Sequence, residues 1–258
     1  MSTEDAAQLS EDFTRLASAD NFRDVVGDGY PTGDGGRLRT GVLFRSNELQ
    51  LSDEDGASLQ RLGITHIFDL RDDHEVEAHP DMVVPGTTWR HLEVKGIAPG
   101  AGAELPDAET TRATLLAIYR RFVNDPAARA SFGTLLAELA AGTTPQLFHC
   151  TAGKDRTGWT AALILHVAGA DAATIDADYL LTNERSYGTR QKYLGLVAEH
   201  LGPDRVEVFE PMMVADLDYL RAAIDEAHTL YGGIDGYLRD GLGLSDDQLA
   251  SLKDRLTA

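Results

Sequence analysis

The stretch QLFHCTAGKDRTGWTAALILHVAGA, residues 146–170, constrains the fold more than any other part of the chain. Gln146-Leu147-Phe148 has the length and apolar content of a buried strand. The run from Trp159 to Ala170 is almost wholly apolar, as a buried helix is. Ten residues, HCTAGKDRTG, join them and hold Cys150, the single cysteine of 258 residues. A strand turning tightly into a helix gathers backbone N–H groups at the positive end of the helix dipole, and that makes a seat for an anion. The same seat favours a thiolate, and Lys154 and Arg156 add positive charge beside it. A free cysteine can also be a small core hydrophobe. Two cations, an acid and two glycines in the same loop argue against that reading here.

Within the loop each residue type has a distinct use. Cys150 is the candidate nucleophile. Arg156, six positions later, can fold back and hold two oxygens of a phosphoryl group side by side. Thr151, Ala152, Gly153, Lys154, Asp155 and Arg156 form the candidate phosphate cradle, with Gly153 free to take a left-handed turn. The Thr157 hydroxyl can donate to the sulfur, and His149 is expected to orient the loop through backbone hydrogen bonds rather than to act as a base. Gly158 lets the helix approach a neighbour closely. Together these residues describe phosphoryl transfer to sulfur followed by hydrolysis of a phosphocysteine, chemistry that calls for no metal and no cofactor.

The rest of the chain alternates strand and helix patterns before a helical C-terminal third. NFRDVVG and YPTGDGGRLRTG suggest a turn or hairpin leading into the strand VLFRS. Ser52 with Asp55 marks a helix start, and Gly63 its end. ITHIFDL, residues 64–70, reads as a buried strand, and Trp89 to Val94 as another. RDDHEVEAHPD between them reads as a charged, solvated loop in which His74 and His79 lack metal-ligand spacing. GIAPGAGAELPDAE is turn-rich, the candidate base of a lid. Helices follow at Leu115–Phe122 and from Asp125-Pro126 to Gly142, then from Asp171 to Asn183 and along Leu217–Tyr231, with Met212 and Met213 just before the last. The pattern predicts an α/β fold: a central, mostly parallel sheet flanked by helices.

Composition narrows the partners. The formal net charge of −19 disfavours nucleic acid and stable membrane association, so positive charge must be local to the loop. One cysteine excludes an internal disulfide. MSTEDAAQLSEDF lacks the basic start and apolar stretch of a signal peptide, and no apolar run has the length of a membrane span. A cytoplasmic monomer is expected, with residues 1–20 as an acidic arm and 21–258 as one domain.

HCTAGKDRTG carries the Cys-(five residues)-Arg pattern of the protein tyrosine phosphatase superfamily, followed by its Thr/Ser. NFRDVVG, GVLFRSNEL, LGITHIFDLR with the later Glu75, ADYLLTN and YGGIDGYLRDGLGLS resemble, in order, segments of bacterial tyrosine/lipid phosphatases of the mycobacterial tyrosine phosphatase B type. The resemblance runs from about Asn21 to the C-terminus. It implies a single phosphatase domain with a four- or five-stranded sheet, no metal, and activity on phosphotyrosine in proteins. Some relatives also take phosphoserine, phosphothreonine or phosphoinositides, so a phosphoinositide phosphatase is the alternative, and a non-catalytic phosphate-binding module a further one. Two acids compete to protonate the leaving group. The resemblance favours Asp155, while Asp69 stands at the strand edge where open α/β sheets place ligands, unless it pairs with Arg71 or Arg45. Lys154 suits a second substrate phosphate, or else balances Asp155 and the thiolate.

Overall fold

The structure, a computed structural model, describes residues 16–33, 35–97 and 101–257. Its strands are β1 Arg23–Asp24, β2 Leu43–Ser46, β3 His66–Asp69, β4 Thr88–His91 and β5 Gln146–His149. They form one sheet in the order β1-β2-β5-β3-β4, with β1 antiparallel to β2 and the other pairings parallel. The principal helices are α1 Asp53–Arg61, α2 Asp73–Ala78, α3 Ala101–Glu104, α4 Ala108–Asn124, α5 Pro126–Ala141 and α6 Asp155–Ala168. They continue with α7 Ala172–Arg185, α8 Tyr187–Leu201, α9 Val206–Met213, α10 Leu217–Tyr231 and α11 Asp246–Leu256.

Side chains on a strand alternate between faces, and here each face meets its own core. Leu43, Phe68 and Phe148 enter the larger core with Phe122, Phe132 and Trp159 of the helices. Phe44, Ile67 and Leu147 enter the smaller one with Phe22 and Leu59. Parallel strands buried on both faces need apolar residues at every position, which is why these segments read as continuous runs. The parallel register aligns Ser46, His149 and Asp69 at the same sheet edge, so the loop after β5 emerges from the middle of that edge.

Helix starts follow their caps. Ser52, Asp107, Asp125 and Asp171 each accept a backbone N–H from the first turn of the following helix. One expectation is corrected. The segment expected as a charged loop after Arg71 contains α2, because Asp72 and Glu75 close a capping box that satisfies its first turn. Of the turn-rich stretch 96–109, residues 98–100 lie outside the described residues, and Ala101–Glu104 is a short helix. Of the acidic arm expected at 1–20, residues 1–15 lie outside the described residues. Leu16 and Ala19 pack into the smaller core, and the Ser18 N–H donates to Asp55 at 2.8 Å. Among the described residues no helix is long and apolar enough to cross a membrane.

Candidate active site

Between β5 and α6 the chain turns through Cys150–Lys154, and neighbouring elements hold the turn by its carbonyls. Asn21 Nδ2 donates to the carbonyls of Ala152 at 3.1 Å and Gly153 at 3.0 Å. Arg45 Nη2 donates to the Gly153 carbonyl at 2.9 Å, and the Glu48 N–H to the Thr151 carbonyl at 3.0 Å. Asp178 anchors Arg45 at 2.6 Å and Arg23 at 3.3 Å, all three side chains out of water. With three successive carbonyls drawn outward, the loop N–H groups are left for an anion on the inner side. Gly153 has a φ of +65°, and a Cβ there would lie 2.6 Å from the Ser46 carbonyl, so geometry and space both demand glycine.

Cys150, at the start of the loop, is 1% exposed, belongs to the larger core and does not itself line the cleft, while Thr151, Ala152, Lys154, Asp155 and Arg156 line it. The Thr157 hydroxyl is buried and has no hydrogen-bond partner among the described residues.

Arg156 is 6% exposed and lines the cleft. Nη1 and Nη2 donate to the two oxygens of Glu75 at 2.6 and 2.8 Å, and Nη1 also reaches the Val94 carbonyl at 3.2 Å. A guanidinium has five N–H donors in a rigid fork. The Glu75 contact leaves Nε–H and one Nη2–H, which point the same way and can clasp two oxygens of one phosphoryl group. Glu75 is the functional residue that sequence reasoning left without a role. It sits at the third position of α2, accepts the Asp72 N–H at 2.9 Å and receives the Thr151 hydroxyl. Burial resists its ionisation, but the hydrogen bonds and charge of Arg156 prevail and hold its carboxyl down at about 2. The Asp72…Glu75 spacing was the available signal.

Asp155, first residue of α6, lines the cleft. Its Oδ1 accepts the Tyr119 hydroxyl at 2.9 Å and lies 3.3 Å from Lys154 Nζ. Lys154 is 2% exposed, and its ammonium donates to the carbonyls of Met212 at 2.7 Å and Val214 at 3.0 Å. Its protons are thus spent inside the protein, which favours the balancing reading over the second-phosphate reading.

Asp69 ends β3 at the expected edge but is fully buried and does not line the cleft. Arg71 grips it through Nε at 3.0 Å and Nη2 at 2.7 Å and also reaches Asp81 at 2.8 Å. His149 Nε2 stands 2.9 Å from Asp81, so its ring meets a carboxylate rather than the expected backbone groups. Burial disfavours imidazolium at His149, yet the Asp81 charge raises its pKa overall. Asp69, Asp81 and His149 lie within 4.8 Å of one another, as metal ligands would. The Arg71 guanidinium bonded to both carboxylates makes the group a closed charge network instead, unfit for a cation.

The cleft has a volume of about 360 Å³. Ile97, Leu115, Ile118 and Phe122 give it an apolar wall, and Tyr193 of α8 with Met212 and Met213 of α9 line it as well. The arrangement joins an anion seat to a slot for an apolar group.

Comparison with known proteins agrees with this geometry. A family described as "Tyrosine phosphatase family" matches residues 14–258. A "Triple specificity protein phosphatase" of Mycobacterium tuberculosis is 33% identical over 262 residues, covering 87% of this chain and 92% of that protein. A putative tyrosine-protein phosphatase of Cupriavidus necator is 32% identical, over 89% of this chain and 84% of the relative. A tyrosine-protein phosphatase of Nostoc commune is 26% identical, over 97% and 91% respectively.

Proposed function

This chain belongs to the tyrosine phosphatase family, and on that premise we propose how its residues divide the reaction. The observation that carries the reading is the loop between β5 and α6, which begins at Cys150 and brings to the cleft Arg156, bonded to Glu75, and Asp155. The Cys150 thiolate attacks the phosphorus of a phosphomonoester, forming the S–P bond as the P–O bond to the leaving group breaks. Asp155 gives its proton to the departing oxygen. Its carboxylate then takes a proton from water, which attacks the phosphocysteine, breaks S–P and releases inorganic phosphate. Arg156 and the loop N–H groups hold the equatorial oxygens throughout. Asp69 takes the structural part of holding Arg71, and His149 that of pairing with Asp81.

The apolar wall of Ile97, Leu115, Ile118 and Phe122 suits an aromatic ring and supports phosphotyrosine in proteins as the substrate. The name of the mycobacterial relative, a triple specificity phosphatase, supports activity on phosphoserine and phosphothreonine as well. A polyphosphorylated inositide is disfavoured, because Lys154 is already engaged and the chain carries a net charge of −19. The same charge argues against stable membrane association. The reading extends to a cytoplasmic monomer working through one domain, which takes in Leu16 and Ala19 of the segment expected as an arm. A panel of phosphotyrosine, phosphoserine and phosphothreonine peptides beside mono- and polyphosphorylated inositides tests the substrate class. The highest kcat/KM is expected on phosphotyrosine, and a preference for polyphosphorylated inositides would overturn the assignment.

A further inference from the structure

We propose that Tyr119, backed by Tyr179, is a positioning residue that fixes which oxygen of Asp155 carries the transferable proton. Tyr119 lies on α4 and Tyr179 on α7, and both are buried in the larger core. The Tyr119 hydroxyl is 2.9 Å from Asp155 Oδ1 and 2.6 Å from the Tyr179 hydroxyl. A phenol has one proton to give. If Tyr119 donates to Asp155, Tyr179 must donate to Tyr119, so the chain runs in one direction, from Tyr179 through Tyr119 to Asp155. Burial above all, and then the Asp155 charge, hold both phenols well above their ordinary pKa, so they remain donors.

Oδ1 therefore receives the Tyr119 proton and has Lys154 Nζ at 3.3 Å. An oxygen already accepting from a phenol and facing an ammonium is a poor place for a proton. Oδ2 makes no hydrogen bond among the described residues, and Asp155 lines the cleft. The proton bound for the leaving group is thereby confined to Oδ2, and the carboxyl is kept from rotating it away. Gly158 contributes to the placement. A Cβ there would stand 3.0 Å from the Tyr179 ring, so glycine lets α7 bring its phenol up to α6.

This inference rests on Asp155 as the acid, and the experiment separates the two claims. Phenyl phosphate, whose leaving group needs a proton, is compared with p-nitrophenyl phosphate, whose leaving group does not. Asp155→Asn is expected to lose about 10²–10⁴-fold in kcat/KM, which reads the steps up to departure of the leaving group, on the first and far less on the second. Tyr119→Phe, which keeps the ring, is expected to lose about tenfold on phenyl phosphate with little change on p-nitrophenyl phosphate. Tyr179→Phe should show the same selectivity more weakly, and adding Tyr119→Phe to Asp155→Asn should cost nothing more. Equal losses on both esters for the tyrosine variants, or none, with Asp155→Asn still selective, would overturn the positioning role and leave the acid standing. An Asp155→Asn variant without leaving-group selectivity would overturn both.

Discussion

The loop beneath the cleft and the helices across from it face the same space but are fixed by different forces. Beneath, Arg23, Arg45 and Asp178 are removed from water and joined to one another, and with Asn21 they grip the loop carbonyls. Across the cleft, α8 buries only Leu194 among its 15 residues, and Tyr187, Leu196 and Leu201 stay exposed. Lys154 spans the two, reaching from the loop to the carbonyls of Met212 and Val214. Charges buried in pairs cost much to separate, so the loop should open only with the whole fold. A helix with one buried residue opens at little cost. The loop is thus firmly fixed while its helical cover is only loosely held.

The largest expected effect falls on the loop side. Arg156→Lys replaces a fork with a point charge and should lower kcat/KM by about 10²–10³-fold on every substrate. Equal activity would place phosphate recognition elsewhere.

Glu75→Gln comes next. It removes the partner that aims Arg156 and should lower kcat/KM by up to about 10²-fold, as a displaced clasp does. It also changes the acid limb of stability. The Glu75 carboxyl is held at about 2, below its ordinary 4.5, so its contribution is complete above about 4.5 and is lost as the pH falls towards 2. Asp81 is likewise held low by His149 and Arg71 against its burial and remains in the variant. Melting temperatures between pH 5 and 2 should therefore fall less steeply for Glu75→Gln than for the parent, without becoming flat. An unchanged slope would separate Glu75 from that limb.

Smaller effects belong to the cover. Lys154→Met should speed hydrogen exchange over residues 206–214 by about tenfold, the loss of roughly one charged hydrogen bond, while strand β5 keeps its protection. Faster exchange in β5 would show that loop and cover open together. Leu194→Ala should cost roughly 1 kcal/mol or less, against about 2–5 kcal/mol for the fully buried Leu147→Ala under the loop. Equal losses would erase the contrast.

Much of the loop side was legible in the sequence because its determinants are local. The strand, the glycine at a left-handed φ, Arg156 at its spacing and the caps at Ser52, Asp125 and Asp171 each act over a few residues. What was not legible depends on distant side chains. Asp178 serves Arg45 and Arg23 across more than 130 positions, and Tyr119 meets Asp155 across 36. Asp69 and Asp155 look alike in sequence, both acids at the ends of elements beside arginine. Only the fold turns one into the core onto Arg71 and the other towards the cleft. Glu75 was concealed for a different reason: the charges of 71–81 mask a capping box, and with it the helix that carries the residue to Arg156.

The claim beneath all of this is that the sulfur of Cys150 becomes phosphorylated in each turnover. Rapid quenching of the enzyme with ³²P-labelled p-nitrophenyl phosphate, whose leaving group needs no proton from Asp155, followed by peptide mapping, tests it directly. The account predicts label on the peptide holding Cys150 at near one per chain when Asp155→Asn slows breakdown, and none in Cys150→Ser. Steady turnover with no label on that peptide, or label retained in the Cys150→Ser protein, would contradict it.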